Sequence, residues 1–223
     1  MSIIPALIPT SREELFRVTK SISPFARALQ IDITDGVFVQ STSWPFTEGA
    51  PDALSSALLE LSEEFPHIVL EIDAMVREPE KYIESWIAGG AERIVIHIES
   101  TEKIEEILHI PRRGVAIGLA LENDTPLERL DPYSAHIDFV QFMGIATIGI
   151  QGEPFDERVI GRIASFHEKY PNIPLSVDGS VNEHTLERVR NAGVTHCVVG
   201  SAILRAQNPQ MAYEHLFQLS LRH

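Results

Sequence analysis

Cysteine is nearly missing from this chain: Cys197 is the only one among 223 residues. No internal disulfide can form, so packing has to hold the fold together. Cys197 lies in the apolar run Cys197-Val198-Val199 and reads as a small buried hydrophobe. Basic residues are scarce too. Lys and Arg number 18 against 32 Asp and Glu, a formal net charge of −14. No Lys/Arg block offsets that charge, which argues against nucleic acid and anionic membrane surfaces as partners. Most of the acidity serves solubility, but it also repels an anionic substrate. A site for one must draw positive potential from backbone N–H groups or a metal. No apolar stretch approaches the roughly 18 residues of a membrane span. The start, Met1-Ser2-Ile3-Ile4-Pro5, lacks the basic and apolar regions of a signal peptide, so a cytoplasmic location is expected. The chain has no His-Glu-x-x-His metal motif and no Gly-x-Ser-x-Gly nucleophile turn.

Apolar residues make up 44% and charged residues 22%, the balance of a soluble globular protein large enough to bury a core. Short apolar runs alternate with amphipathic stretches from end to end. The runs are Ile3–Ile8, Ala28–Ile33, Ile68–Val76, Arg93–Ile98, Val115–Leu121, Ile137–Met143, Ile173–Val177 and His196–Val199. Each is apolar on successive residues, as in strands covered on both faces. Helical patterns fill the gaps. Ser11-Arg12-Glu13-Glu14 reads as a capping box, Pro79 opens a helix that Gly89-Gly90 ends, and Asn182 caps 183–191. Pro154–Tyr170 and Pro209–Leu219 supply the later helices. Eight strand–helix units in so short a chain favour a closed (β/α)₈ TIM barrel over a doubly wound sheet. With no linker or low-complexity tract, residues 1–223 are expected to form a single domain. The polar interval Gln40–Asp52 reads as a long loop after the second strand, either a lid or a packing flap.

In such a barrel the chemistry sits at the C-terminal ends of the strands. Those ends carry Gln30, Asp32 and Asp35, then Asp73 and Met75, then His97 and Glu99, then Glu122, Met143, Asp178, and finally Gly200 and Ser201. Asp32, Asp73 and Asp178 each interrupt or close an apolar strand, where a carboxylate is costly unless paired or coordinated. Two ionised carboxylates ~4 Å apart repel by roughly 4 kcal/mol at an effective dielectric near 20. Either a cation sits among the three, or one of them is protonated. Asp35, followed by Gly36, is better read as a turn residue. A phosphate site is expected at Gly179 and Ser180 after strand seven and at Gly200 and Ser201 after strand eight. Glycines there let backbone N–H groups approach an anion, beside a short helix after strand eight. His97, Met75 and Met143 are core residues by default and candidates for the wall of a substrate pocket.

At these residues the sequence resembles the ribulose-phosphate 3-epimerase family, from about Ile3 to Ala212. The family's strand-two pattern, His-x-Asp-x-Met-Asp-Gly-x-Phe-Val, stands here as Gln30-Ile31-Asp32-Ile33-Thr34-Asp35-Gly36-Val37-Phe38-Val39. Met75 to Ile83, Gly90-Ala91 through Glu99, Thr125-Pro126-Leu127, Val177-Asp178-Gly179 and Gly200-Ser201-Ala202-Ile203 are similar as well. The resemblance implies a barrel of the ribulose-phosphate-binding type. It implies epimerisation of a ketopentose phosphate at C3 through an enediolate, with Asp32 and Asp178 as paired acid and base and a divalent metal on the developing oxyanion. It also implies a small phosphorylated sugar as partner and a homo-oligomer. Several positions depart from the family. Its two metal-binding histidines are Gln30 and Asp73 here, its strand-one serine is Ala6, and its strand-two methionine is Thr34. Its Asn-Pro-Gly-Phe-Gly-Gly loop has become 146–152, with one extra residue. Gln30, Asp32, Asp73 and Asp178 would form an all-oxygen set suited to Mg²⁺ or Mn²⁺ rather than Zn²⁺. An altered enediolate enzyme is the expectation. The alternative is a catalytically inactive or repurposed sugar-phosphate-binding paralogue, with no metal. A lyase or decarboxylase would want a strand-end lysine, which none of these positions supplies.

Overall fold

The computed structural model describes residues 1–150 and 152–221. Eight parallel strands close into a barrel in chain order. They are β1 (Ser2–Leu7), β2 (Ala28–Thr34), β3 (Val69–Met75), β4 (Arg93–His97), β5 (Ala116–Leu121), β6 (Phe139–Met143), β7 (Leu175–Asp178) and β8 (His196–Val199). The ring closes where Ser2 to Pro5 pair with His196 to Val199. All eight apolar runs are strands, with ends within a few residues of those expected. The helices are α1 (Arg12–Ile22), α2 (Ala53–Glu64), α3 (Ile83–Ala88), α4 (Ile104–His109), α5 (Arg158–Lys169), α6 (Leu186–Asn191), α7 (Ser201–Leu204) and α8 (Pro209–Ser220). No helix among the described residues is long and apolar enough to cross a membrane.

Strand alternation builds two interiors. The outward set, including Leu29, Ile31, Ile33, Ile72, Ile94, Ile96, Leu119 and Val177, is buried under the helices as the main core. Facing the lumen, Ile4, Ala6 and Val198 form one small apolar group. Met75, Val95, Ala120, Phe139 and Met143 form another. Between them lies a polar layer: Gln30, Asp32, Glu71, Asp73, His97, Gln141 and Ser176 are all buried. Gly118 makes room for Phe139, because a Cβ there would run into its ring. On the N-terminal side of the acids, Arg93 pairs with Glu71 and lies 3.9 Å over the Phe139 ring. Burial raises the Glu71 carboxyl, and Arg93 works against that rise.

The helix signals are realised with adjustments. Ser11 caps α1 by accepting from Glu14 N. Glu14 returns its carboxylate to Thr10 N and Oγ1, one residue earlier than a capping box requires. Pro79 opens a short 3-10 turn (Pro79–Lys81), and α3 begins only at Ile83. Pro154 likewise precedes α5 by four residues, since α5 starts at Arg158. Asn182 caps a turn, accepting from His184 N, and Thr185 takes the N-cap position of α6. The interval 40–52 packs at its middle, where Ser43, Trp44 and Pro45 are buried, while residues 47–50 are exposed. Trp44 is buried, donates its backbone N–H to Pro9 O at 2.9 Å, and donates Nε1–H to Glu48 at 3.2 Å. Phe46 meets Tyr82 edge-on with ring centroids 5.4 Å apart. Cys197 is fully buried, and burial pushes its thiol up to about 12.

Candidate active site

The three aspartates meet. Asp32 and Asp73 are register partners on β2 and β3, and Asp178 ends β7, partnered with Met143 and Val198. Each offers an oxygen, and the three oxygens lie within 4.8 Å of one another. Asp73 is fully buried, Asp32 nearly so, and Asp178 partly. The strands put them there because the outward positions beside them are apolar. Leu29, Ile31 and Ile33 turn to the helices, which leaves Gln30, Asp32 and Thr34 for the lumen.

Crowding shows in the acidities of Asp32 and Asp178. Burial holds the Asp32 carboxyl well above the usual carboxylate range, and Asp178 and Asp73 add to the rise. Burial, with the nearby Asp73, lifts Asp178 to about 7. Three side chains offset the crowding. Gln30 Nε2 donates to Asp32 Oδ1 and Asp178 Oδ2, both at 2.8 Å. His97 Nε2 meets Asp73 Oδ1 at 2.9 Å, and Gln141 Nε2 donates to Asp73 Oδ2 at 2.9 Å. Burial opposes a charged His97 ring, but the charge and hydrogen bond of Asp73 outweigh it and raise the imidazole above its ordinary value. Gln30 Oε1 is buried with no partner. The donor chemistry fits a divalent cation: three carboxylates stand together, and a half-turn of the Gln30 amide adds the orphaned carbonyl oxygen.

A cavity opens beside the acids. Its wall includes Ala6, Asp32, Met75, Met143, Ile145, Asp178, Gly179, Ser180, Gly200 and Ser201. Thus both aspartates expected to act as acid and base, both methionines and all four phosphate-turn residues face one space. The turn after β7 takes left-handed backbone at Gly179 (φ 110°) and Ser180 (φ 53°). Ser180 Oγ donates to the Glu153 carbonyl. Gly144 is what lets this turn close in. Its N–H donates to Asp178 O at 2.5 Å, and a Cβ would collide with the Gly179 carbonyl.

Other expected residues lie elsewhere. His97 is fully buried behind Asp73 and does not border the cavity. Its ring stands 5.5 Å from that of Phe38. Asp35 is a turn residue: its Oδ1 accepts from Val37 N and Phe38 N, and its Oδ2 from Arg77 N. Glu99 accepts from Glu122 N and Thr125 Oγ1, outside this cavity. The loop after β6 reaches the cavity through Gly149, Ile150 and Gly152, while Gln151 lies outside the described residues. Gln141 is the functional candidate that sequence reasoning missed. The only signal was one amide inside the run Phe139-Val140-Gln141-Phe142-Met143.

Fold and site together define a (β/α)₈-barrel enzyme with carboxylates gathered at its strand ends. A model of the ribulose-phosphate 3 epimerase family matches residues 1–204. Ribulose-phosphate 3-epimerase of Schizosaccharomyces pombe is 34% identical over 61% of this chain and 60% of that protein. The Eremothecium gossypii protein of the same name is 28% identical over 83% and 78%, and that of Aquifex aeolicus 28% over 92% and 90%. In shape the chain is similar to 3-hexulose-6-phosphate synthase from Salmonella typhimurium (TM-score 0.75, 16% identity, all of both chains covered). At that identity the likeness speaks for the barrel alone. The chain belongs to the ribulose-phosphate 3-epimerase family and, with it, to the isomerases.

Proposed function

We propose that this protein epimerises a ketopentose phosphate at C3, with ribulose 5-phosphate as the first candidate substrate. The observation that carries the reading is the pair Asp32 and Asp178, which border one cavity and share a single donor, Gln30 Nε2, at 2.8 Å each. Inverting a carbon next to a carbonyl needs a base on one face and an acid on the other. The two shifted carboxyls meet that need. One, ionised, takes the C3 proton and leaves an enediolate. The other, protonated, returns a proton from the opposite face, and the roles swap for the reverse reaction. A group titrating near 7, as Asp178 does, exchanges protons readily at neutral pH.

The phosphate is placed against the Gly179-Ser180 and Gly200-Ser201 turns, whose backbone supplies the positive potential that the acidic surface lacks. Asp32, Asp73 and Asp178, with Gln30 through Oε1, would hold a divalent cation, and their oxygens favour Mg²⁺ or Mn²⁺. Such an ion supplies charge stabilisation to the oxyanion that forms on proton removal. Met75 and Met143 wall the reacting end against water.

Incubation with ribulose 5-phosphate in D₂O with Mg²⁺ or Mn²⁺ tests the reading, with deuterium expected at C3. Asp178→Asn should abolish exchange while phosphate still binds. Absence of deuterium with either metal would remove this substrate from the reading. An active Asp178→Asn would overturn the acid/base assignment.

A further inference from the structure

Asp73 differs from its two neighbours in how it is held. Asp32 and Asp178 share one amide donor between them. Asp73 has a donor of its own on each oxygen: His97 Nε2 from β4 on Oδ1 and Gln141 Nε2 from β6 on Oδ2, each at 2.9 Å. Gln141 reaches across the lumen to do this, since its register partners are Ala120 on β5 and Ser176 on β7. It is fully buried, and its Oε1 has no partner. An amide kept in the lumen with one end unsatisfied is costly, and the other end of this one donates to Asp73. Two donors from different strands fix both the rotamer and the plane of a carboxylate. They leave one lone pair on each oxygen for a further partner.

We propose that Gln141 is a positioning residue that, with His97, pins Asp73 as the fixed oxygen ligand of the cation site. Asp32 and Asp178, which share the one Gln30 donor, remain the pair that exchanges protons. The proposal rests on the preceding reading that the acid cluster holds a divalent cation. Groups that orient a metal ligand from behind are commonly worth about 10–100-fold in metal affinity.

The test is Mn²⁺ binding to the metal-free full-length protein, followed by the electron paramagnetic resonance signal of free Mn²⁺. Gln141→Met keeps the side-chain volume and loses the donor. It should weaken Mn²⁺ binding by about 10–100-fold, with circular dichroism unchanged. Any epimerase activity it loses at low Mn²⁺ should return at saturating Mn²⁺, because the proton-transferring pair is untouched. A merely structural role for Gln141 would lower kcat at every Mn²⁺ concentration. Gln141→Leu, which removes both ends of the amide and adds no charge, should weaken binding as Gln141→Met does. Should Gln141→Met fail to fold, Gln141→Leu decides alone. Wild-type affinity in these variants, while Asp73→Asn binds weakly, overturns the pinning and leaves the cation reading intact. If wild-type protein binds no Mn²⁺, or Asp73→Asn binds it unchanged, both fall.

Discussion

Asp178 has a displaced acidity, and the displacement has a sign that can be measured. Burial and the Asp73 charge lift it to about 7, against roughly 4 for an unfolded aspartate. Between those values the native state binds the proton that the unfolded state releases, so the contribution to stability is complete below about pH 4. It is lost as pH rises through about 7. Asp32 is raised as well and adds in the same direction. Metal-free protein in chelator should therefore lose thermal stability from pH 4 to 7 more steeply than Asp178→Asn does. The limiting slope for one proton is about 1.4 kcal/mol per pH unit. Parallel Tm profiles for the two proteins would show that Asp178 titrates normally. The amides act on the same crowding: Gln30 ties Asp32 to Asp178 in a molecule that carries the acids whether or not a cation is present.

At the scale of elements, the βα turns decide whether the strand ends form a site. The turn after β7 lies directly against the start of the loop after β6. Gly144 sits so close to Gly179 that any side chain would strike its carbonyl. Gly144→Ala should push the Gly179-Ser180 turn outward. The expected result is phosphate or substrate binding weakened by roughly tenfold, about 1.4 kcal/mol, with a smaller change in kcat at saturation. Equal KM values for variant and wild type would show that the turn does not bear on the phosphate. The turns and the strand pattern were legible beforehand. All eight strands lie where apolar runs lie, because strands buried on both faces need continuous apolar sequence. The same continuity hid the lumen. Since both faces of β6 read as apolar, nothing marked Gln141 as facing Asp73, and the strand was represented by its end residue, Met143. His97 shows the same limit: its strand-end position suggested the cavity wall, while its ring turns to Asp73 and stays buried.

For the molecule as a whole, the formal charge of −14 sets the approach of any anionic substrate. Long-range repulsion slows encounter, and salt screens it over a Debye length of about 10 Å at 0.1 M. If the substrate is a sugar phosphate, kcat/KM should rise as NaCl increases from about 10 to 100 mM, the reverse of electrostatic steering. A fall over that range would mean that local potential at the phosphate turns outweighs the net charge.

The eight strand–helix units, the carboxylates at strand ends, the glycine turns after β7 and β8 and the family likeness are all legible in the order of residues. Each is local, written in neighbouring residues whose spacing or chemistry has few structural solutions. Which donor meets which acid is settled by the closing of the barrel. Gln30 reaches Asp178 across a separation of 148 residues, and Gln141 reaches Asp73 across 68. Those meetings depend on barrel closure and on the stagger of strands around it. Closure and stagger are properties of the whole ring, and no single segment encodes them.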